Sequence, residues 1–166
     1  MLLIIGGLSG AGKTTLGKYL RDYWNFRWID LDGGPGANIV ARLKASTQWH
    51  QFCAGNPAAL LKHCPGQTVL TFPSFPIIQA PVYRDSTEVR IRYLTGPRQL
   101  CFSRANARAG INEKYWDLNN RDLLKYLETS CPNEWKVLVV TETNEARPVA
   151  ELAAEVLTPS KPLRSD

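Results

Sequence analysis

The stretch Leu2-Leu3-Ile4-Ile5-Gly6-Gly7-Leu8-Ser9-Gly10-Ala11-Gly12-Lys13-Thr14-Thr15-Leu16 governs how the rest of the chain reads. Met1 to Ile5 is an apolar run that ends in a glycine pair, as a buried strand does on entering a turn. From Lys13 to Trp24, Leu16, Leu20 and Tyr23 recur at helical spacing. Between strand and helix, Gly7-Leu8-Ser9-Gly10-Ala11-Gly12-Lys13-Thr14 fits the pattern G-x-x-x-x-G-K-[ST]. Glycines let successive backbone N–H groups turn inward as an anion cradle, and the following helix aims its N-terminus at the same place. In such a loop Lys13 meets the outer phosphates as a mobile charge, and the Thr14 hydroxyl ligates magnesium. Gly7, Leu8, Ser9, Gly10, Ala11, Gly12, Lys13, Thr14 and Thr15 are therefore the expected nucleotide contacts. The bland alternative, a glycine-rich turn with a chance lysine, must treat both flanking elements as coincidence.

Outward from this loop, strands and helices alternate. Phe26 to Asp30 is a strand candidate, closed by Asp32-Gly33-Gly34-Pro35-Gly36. Asn38 to His63 reads as helical with interruptions at Gly55 and Pro57, and Gln67 to Phe72 as a third strand. Pro73, Pro76 and Pro81 hold Ser74 to Val82 as a loop or broken helix. Glu88 to Leu94 is a fourth strand, Pro97 to Arg108 a helix with proline at its start, and Glu113 to Thr129 another helix. Trp135 to Thr141 is the last strand, and Pro148 to Leu157 a closing helix with Val149, Leu152, Ala153 and Val156 on one face. Alternation of this kind predicts an α/β fold, a three-layer α/β/α sandwich around a five-stranded parallel sheet. Ligands on such sheets sit at the carboxyl ends of the strands.

Composition bounds the rest. A chain of 166 residues with 44% hydrophobic and 21% charged residues suits one globular domain, expected over 1–157, with a flexible tail at 158–166. Lys and Arg number 20 against 15 Asp and Glu, so the net charge is +5, which suits a phosphate-bearing ligand, yet the basic residues form no tail. Met1 to Ile5 is too short to span a membrane and lacks the charged flank of a secretory signal. Cys53, Cys64, Cys101, Cys131, His50 and His63 show no metal-ligand or disulfide spacing. The expectation is a cytoplasmic protein, monomer or homodimer, with no membrane partner.

Asp30 and Asp32 place two carboxylates at the end of the second strand. Residues two apart in a strand share a face, and this strand end is expected beside the phosphate loop. One carboxylate can hold a magnesium-bound water while the other accepts the proton of an attacking hydroxyl. The alternative is that both merely cap a loop before glycine. Arg104 and Arg108, four apart on a predicted helix, share a face and can neutralise charge on a transferred phosphoryl group. A solvated helix face is the competing reading. Arg84, after the proline-rich loop, is a candidate for an anionic acceptor or plain surface.

The loop Gly-Leu-Ser-Gly-Ala-Gly-Lys-Thr-Thr, Asp30-Leu31-Asp32 and the chain length together resemble the small-molecule kinases of the shikimate kinase and gluconate kinase group. Tyr83-Arg84-Asp85, Ile91 to Gly96, Ser103-Arg104 and Ala107-Arg108-Ala109-Gly110 are similar to gluconate kinase in order and spacing. The resemblance implies a P-loop NTPase fold of the nucleotide-kinase type and transfer of a γ-phosphoryl group from ATP, with Mg2+. It implies that Asp32 orients or deprotonates the acceptor hydroxyl and that Asp30 sits on the magnesium side with Thr14. Residues 33–64 would be the acceptor-binding segment, and 104–116 a lid carrying Arg104 and Arg108. Asn144 to Pro148, with Arg147 and Pro148 as contacts, occupies the place where the group holds its adenine ring. The chain departs from the group where Gly110-Ile111-Asn112 follows Arg108, and where Thr71-Phe72-Pro73-Ser74 supplies no acidic residue.

Lys13, Asp30, Asp32, Arg104 and Arg108 are thus the expected catalytic set, and Asp32 and Arg84 the acceptor set. The expected activity is ATP-dependent phosphorylation of a hydroxyl on a small metabolite. Nucleosides, nucleotides and nucleic-acid ends stay open as acceptors, and a nucleotide-binding regulatory module or slow NTPase is the reading of a different class. His50 and His63 read as structural. Trp24, Phe26, Trp28, Trp49 and Phe52 read as core rather than a base-stacking platform. Tyr115, Trp116, Asp117 and Asn120 follow the expected lid, with nothing in the sequence to separate acceptor contact from packing. Arg90 and Arg92 alternate with apolar residues on a strand that should be apolar on both faces. That pattern predicts either a thinly covered face or a partner chain.

Overall fold

The computed structural model describes residues 1–31, 47–64, 66–72, 82–84 and 86–159. Its centre is β1 (Leu2–Gly7), buried along its whole length. A strand apolar on both faces is what the middle of a parallel sheet requires. β3 (Thr68–Thr71) pairs with one side of β1, Leu2 opposite Thr68, and β4 (Val89–Thr95) with the other, Leu2 opposite Val89. β2 (Arg27–Asp30) lies outside β3, and β5 (Lys136–Leu138) outside β4. The sheet order is β2-β3-β1-β4-β5 and every pair is parallel, as the alternation of elements predicts.

Among the described residues six helices accompany the sheet: α1 (Lys13–Trp24), α2 (Thr47–Cys53), α3 (Ala58–Leu61), α4 (Arg98–Ala109), α5 (Glu113–Thr129) and α6 (Val149–Leu157). The interruptions expected at Gly55 and Pro57 separate α2 from α3. Alternate side chains of β4 identify the two faces. The Tyr93 ring meets Tyr126 of α5 edge-on, with centroids 5.5 Å apart. Arg92, its neighbour, donates from Nη2 to the Thr158 carbonyl at 2.6 Å, just past the end of α6. Successive strand side chains point to opposite faces, so α5 and α6 cover opposite sides and the sandwich has three layers.

This corrects the expectation for the charged face of β4, which is neither bare nor left for another chain. Arg90 donates to the Leu157 carbonyl and Arg92 to Ile91 and Thr158, so the two guanidinium groups close the C-terminal end of α6. The last carbonyls of a helix have no partner within it, and a cation there also meets the negative end of the helix dipole. Arg92 is only 2% exposed. Burial, with the Arg90 charge beside it, pulls its pKa down to about 10, which leaves it protonated at neutral pH.

Two further expectations change. The last strand is regular only over Lys136–Leu138, because Trp135 lies in a 3-10 turn (Asn133–Trp135). Val140 instead pairs antiparallel with Ala146 around a turn in which Asn144 adopts a left-handed conformation. Of the aromatic set, Phe26 and Phe52 are core and Trp28 is half-buried, but Trp24 is exposed. It lies at the last helical position before Asn25, whose left-handed φ of 55° stops α1. Cys64, Cys101 and Cys131 are free thiols. Among the described residues no helix is long and apolar enough to cross a membrane, and no cluster of side chains has metal-ligating composition.

Candidate functional site

β1 delivers the chain to its carboxyl end at Gly7, and α1 leaves from Lys13. The turn between them is tight: Ala11 donates to the Leu8 carbonyl at 3.0 Å, and Gly10 and Gly12 both take positive φ, 88° and 93°. Gly10 is required on two counts, since its φ suits glycine and a Cβ there would collide with the Cys101 carbonyl of α4. Gly12 is the N-cap of α1, with no side-chain cap and no acidic residue in the first turn. The first N–H groups of α1 are therefore left for whatever binds in front of them. By contrast α5 is capped by Asn112, whose side chain accepts from Tyr115 N.

Lys13 is buried to 7% exposure, and its ammonium donates to the carbonyls of Gly7 at 2.9 Å and Leu8 at 3.0 Å. Next to it the Thr14 hydroxyl donates to Asp30 Oδ2 at 3.2 Å across the gap between α1 and the end of β2. A hydroxyl and a carboxylate at this separation present two oxygens to one point, the donor chemistry that a hard cation such as Mg2+ takes. Asp32 lies outside the described residues.

In front of the loop is a cavity of about 350 Å³, lined on the loop side by Gly10, Ala11, Gly12, Thr14 and Thr15. Arg104 and Arg108 of α4 also line it, with Arg147 and Ala146 from the turn before α6. Two of these arginines are held differently from the third. Arg147 is anchored to Glu155 at 2.7 Å, to Glu151 at 3.7 Å and to the Leu138 carbonyl at 2.8 Å. Among the described residues neither Arg104 nor Arg108 has a carboxylate within 4 Å, although both face this cavity. Positive charge left unneutralised beside an open helix N-terminus is what a polyphosphate needs.

The structure thus brings together the loop residues, Asp30, Arg104, Arg108 and Arg147. Pro148 is the N-cap of α6, directly after Arg147. Arg84 stands apart: its guanidinium donates to Glu134 at 2.8 and 3.0 Å, an exposed pair that does not line the cavity. His50 and His63 are exposed on and after the short helices α2 and α3. The expected lid, 104–116, is the corner between α4 and α5, where Gly110 turns with φ 62° and Asn112 begins the next helix.

One pair was not separable from packing in the sequence. Trp116 and Asn120, one turn apart on α5, both reach Ser9: Ser9 N donates to Asn120 Oδ1 at 2.9 Å, and Trp116 Nε1 donates to the Ser9 carbonyl at 3.0 Å. Asn120 Nδ2 donates in turn to the Trp116 carbonyl at 2.7 Å, which fixes its amide orientation. Spacing of i and i+4 places both on one helix face, but only the fold shows that the face meets the loop.

No family model matches the chain. A 30-residue stretch is 53% identical to a shikimate kinase from Staphylococcus epidermidis, covering 18% of this chain and 18% of that protein's length. Solved structures cover far more. A sugar kinase from a Janibacter species superposes with a TM-score of 0.57 over 94% of this chain and 91% of that one, at 19% identity. A gluconokinase from Sinorhizobium meliloti gives 0.53 over 93% and 88%, at 18% identity. A shikimate kinase from Acinetobacter baumannii in complex with shikimate gives 0.53 over 94% and 90%, at 23% identity. In its fold and its phosphate loop the chain is similar to the P-loop kinases of the shikimate and gluconate kinase group.

Proposed function

We propose that the chain is a magnesium-dependent kinase that moves the γ-phosphoryl group of ATP to a hydroxyl of a small metabolite. The observation that carries this reading is the Thr14–Asp30 contact of 3.2 Å, with Thr14 lining a cavity that the loop and three arginines share. Backbone N–H groups of Gly10 to Thr15 would bind the β- and γ-phosphates, and Lys13 would leave its loop carbonyls for the γ-phosphoryl oxygens. Arg147, held in place by Glu151 and Glu155, and Pro148 would border the adenine. Thr14 and Asp30 would hold Mg2+, which would supply charge neutralisation for the phosphates.

With Asp30 turned toward Thr14, Asp32 is the carboxylate left for the acceptor. It would take the hydroxyl proton as the acceptor oxygen bonds to phosphorus and the bond to ADP breaks. Arg104 and Arg108, without carboxylate partners among the described residues, would neutralise charge on the moving group, and the 104–116 corner would act as the lid that keeps water out. The segment 33–64 would contact the acceptor, and Arg84 would serve an anionic acceptor only by leaving Glu134.

The test is ADP release from Mg·ATP across a library of hydroxyl-bearing metabolites, with nucleosides and a 5′-hydroxyl oligonucleotide included. Stimulation by one small metabolite, lost in Asp32→Asn while ATP affinity is kept, is the expected result. Phosphate release in water that no acceptor stimulates would instead make the protein an NTPase or switch.

A further inference from the structure

Gly10, at φ 88°, joins two peptide planes that glycine allows to rotate freely. The direction of the Ser9–Gly10 plane matters because it decides whether an N–H or a C=O faces the cavity, and Gly10 is one of the residues lining it. In a trans peptide the N–H and C=O of one plane point in opposite directions. Trp116 Nε1 holds the Ser9 carbonyl on the α5 side, so the Gly10 N–H of that same plane is turned away from α5. The preceding plane is fixed in the same manner. Asn120 Oδ1 takes the Ser9 N–H, and the Leu8 carbonyl at its other end accepts from Ala11 N and Lys13 Nζ.

We propose that Trp116 and Asn120 are positioning residues for phosphate binding: they lock both peptide planes around Ser9 so that the Gly10 N–H, not the Ser9 carbonyl, is presented to the anion. The proposal rests on reading the loop as the nucleotide site. Both side chains are well placed for the task. Trp116 is fully buried and Asn120 is 3% exposed, so both side chains are shielded from water although Ser9 is half-buried. The indole is braced by the Arg98 guanidinium, 5.6 Å from the ring centroid, and by the edge of Phe102 at 6.3 Å. Arg98 is itself tied to Glu113 and Asp117 on α5. A flipped Ser9–Gly10 plane would put a carbonyl dipole against phosphate oxygens and leave a buried indole N–H without its acceptor. Losing either anchor lets that flipped state compete with the binding state, and affinity falls with the fraction that remains competent.

The experiment uses the full chain and two probes, Mg·ATP and inorganic pyrophosphate, titrated calorimetrically against Trp116→Phe and Asn120→Leu. Both probes should bind roughly tenfold more weakly to each variant, the scale of one lost hydrogen bond. Amide hydrogen exchange at Gly10 to Thr15 should be faster without ligand. Leu127→Ala, which thins the buried side of α5 away from Ser9, should lower the melting temperature and leave both affinities unchanged. A folded Trp116→Phe protein that binds both probes like wild type overturns the proposal. Equal weakening by Leu127→Ala overturns it too, because general helix stability would then account for everything. If wild type binds neither probe, the nucleotide-site reading fails, and exchange alone decides the clamp: faster at Gly10 in the variants sustains it, unchanged rejects it. Should Asn120→Leu fail to fold, Trp116→Phe decides by itself.

Discussion

Two buried cations, Lys13 at the start of α1 and Arg92 in the middle of β4, both donate to backbone carbonyls. Arg92 ties β4 to the chain just past α6, its planar fork reaching the Ile91 and Thr158 carbonyls at once. Lys13 instead sits against the Gly7 and Leu8 carbonyls, of which Leu8 already accepts from Ala11 N. Its neighbours Gly12 and Thr14 line the cavity. The difference teaches where a buried charge belongs to the fold and where to the chemistry. Arg92 is a planar fork that joins two elements of the fold, whereas Lys13 is a flexible point charge, and the Leu8 carbonyl keeps its Ala11 donor when an anion draws the ammonium away.

The largest effect that tests this contrast is on Lys13. Lys13→Met should reduce phosphoryl transfer by on the order of 10²–10³ while the melting temperature stays near wild type; a mutant that unfolds would place Lys13 beside Arg92 as a structural cation. Next, Arg92→Met should destabilise the protein by about 2–3 kcal/mol in urea titration, the scale of charged hydrogen bonds lost from a buried site. Its Mg·ATP affinity should not change. Weakened nucleotide binding at wild-type stability would erase the distinction from the other side.

The pH dependence sharpens the same comparison. Burial puts the folded-state pKa of Arg92 near 10, below that of the unfolded chain. From pH 6 to about 9 both states are protonated, so the Arg92→Met penalty should be flat. Above that range the native state gives up the proton first and the desolvation cost of the charge is relieved, so wild type should gain on the variant. The smallest effect is at Glu134. Burial works to raise its carboxyl pKa, but its own backbone N–H and the Arg84 guanidinium outweigh that and hold it below the usual range. Its contribution should be lost as pH falls through the folded-state value, and Glu134→Gln should change stability at neutral pH by less than ~1 kcal/mol, because the ion pair is exposed.

Local chemistry explains what the sequence made legible. The motif from Gly7 to Thr14 and the helical spacing of Leu16 and Leu20 are short-range signals, and the loop, α1 and the parallel sheet follow from them. The helix starts expected at Glu113 and Pro148 likewise fall within a residue of where the structure has them. The Arg90–Arg92 face was opaque because its partners, Leu157 and Thr158, lie 67 and 66 residues away in the chain. Asn120 was opaque for the same reason: an asparagine on an amphipathic helix looks alike whether it meets solvent, acceptor or a backbone amide. The Asp30-Leu31-Asp32 pair is half legible, since the Thr14 contact orients Asp30 and Asp32 lies outside the described residues.

The anchoring of Ser9 also sets a timetable for synthesis. Its two partners follow it by 107 and 111 residues. The glycine loop leaves the ribosome well ahead of α5, yet it stays without its brace until α5 has emerged and docked, a long-range closure that comes late in folding. A nascent chain stalled before Trp116 should carry the complete motif and hold polyphosphate poorly, so nucleotide would act as a ligand of the finished protein rather than as a folding aid for its N-terminal half.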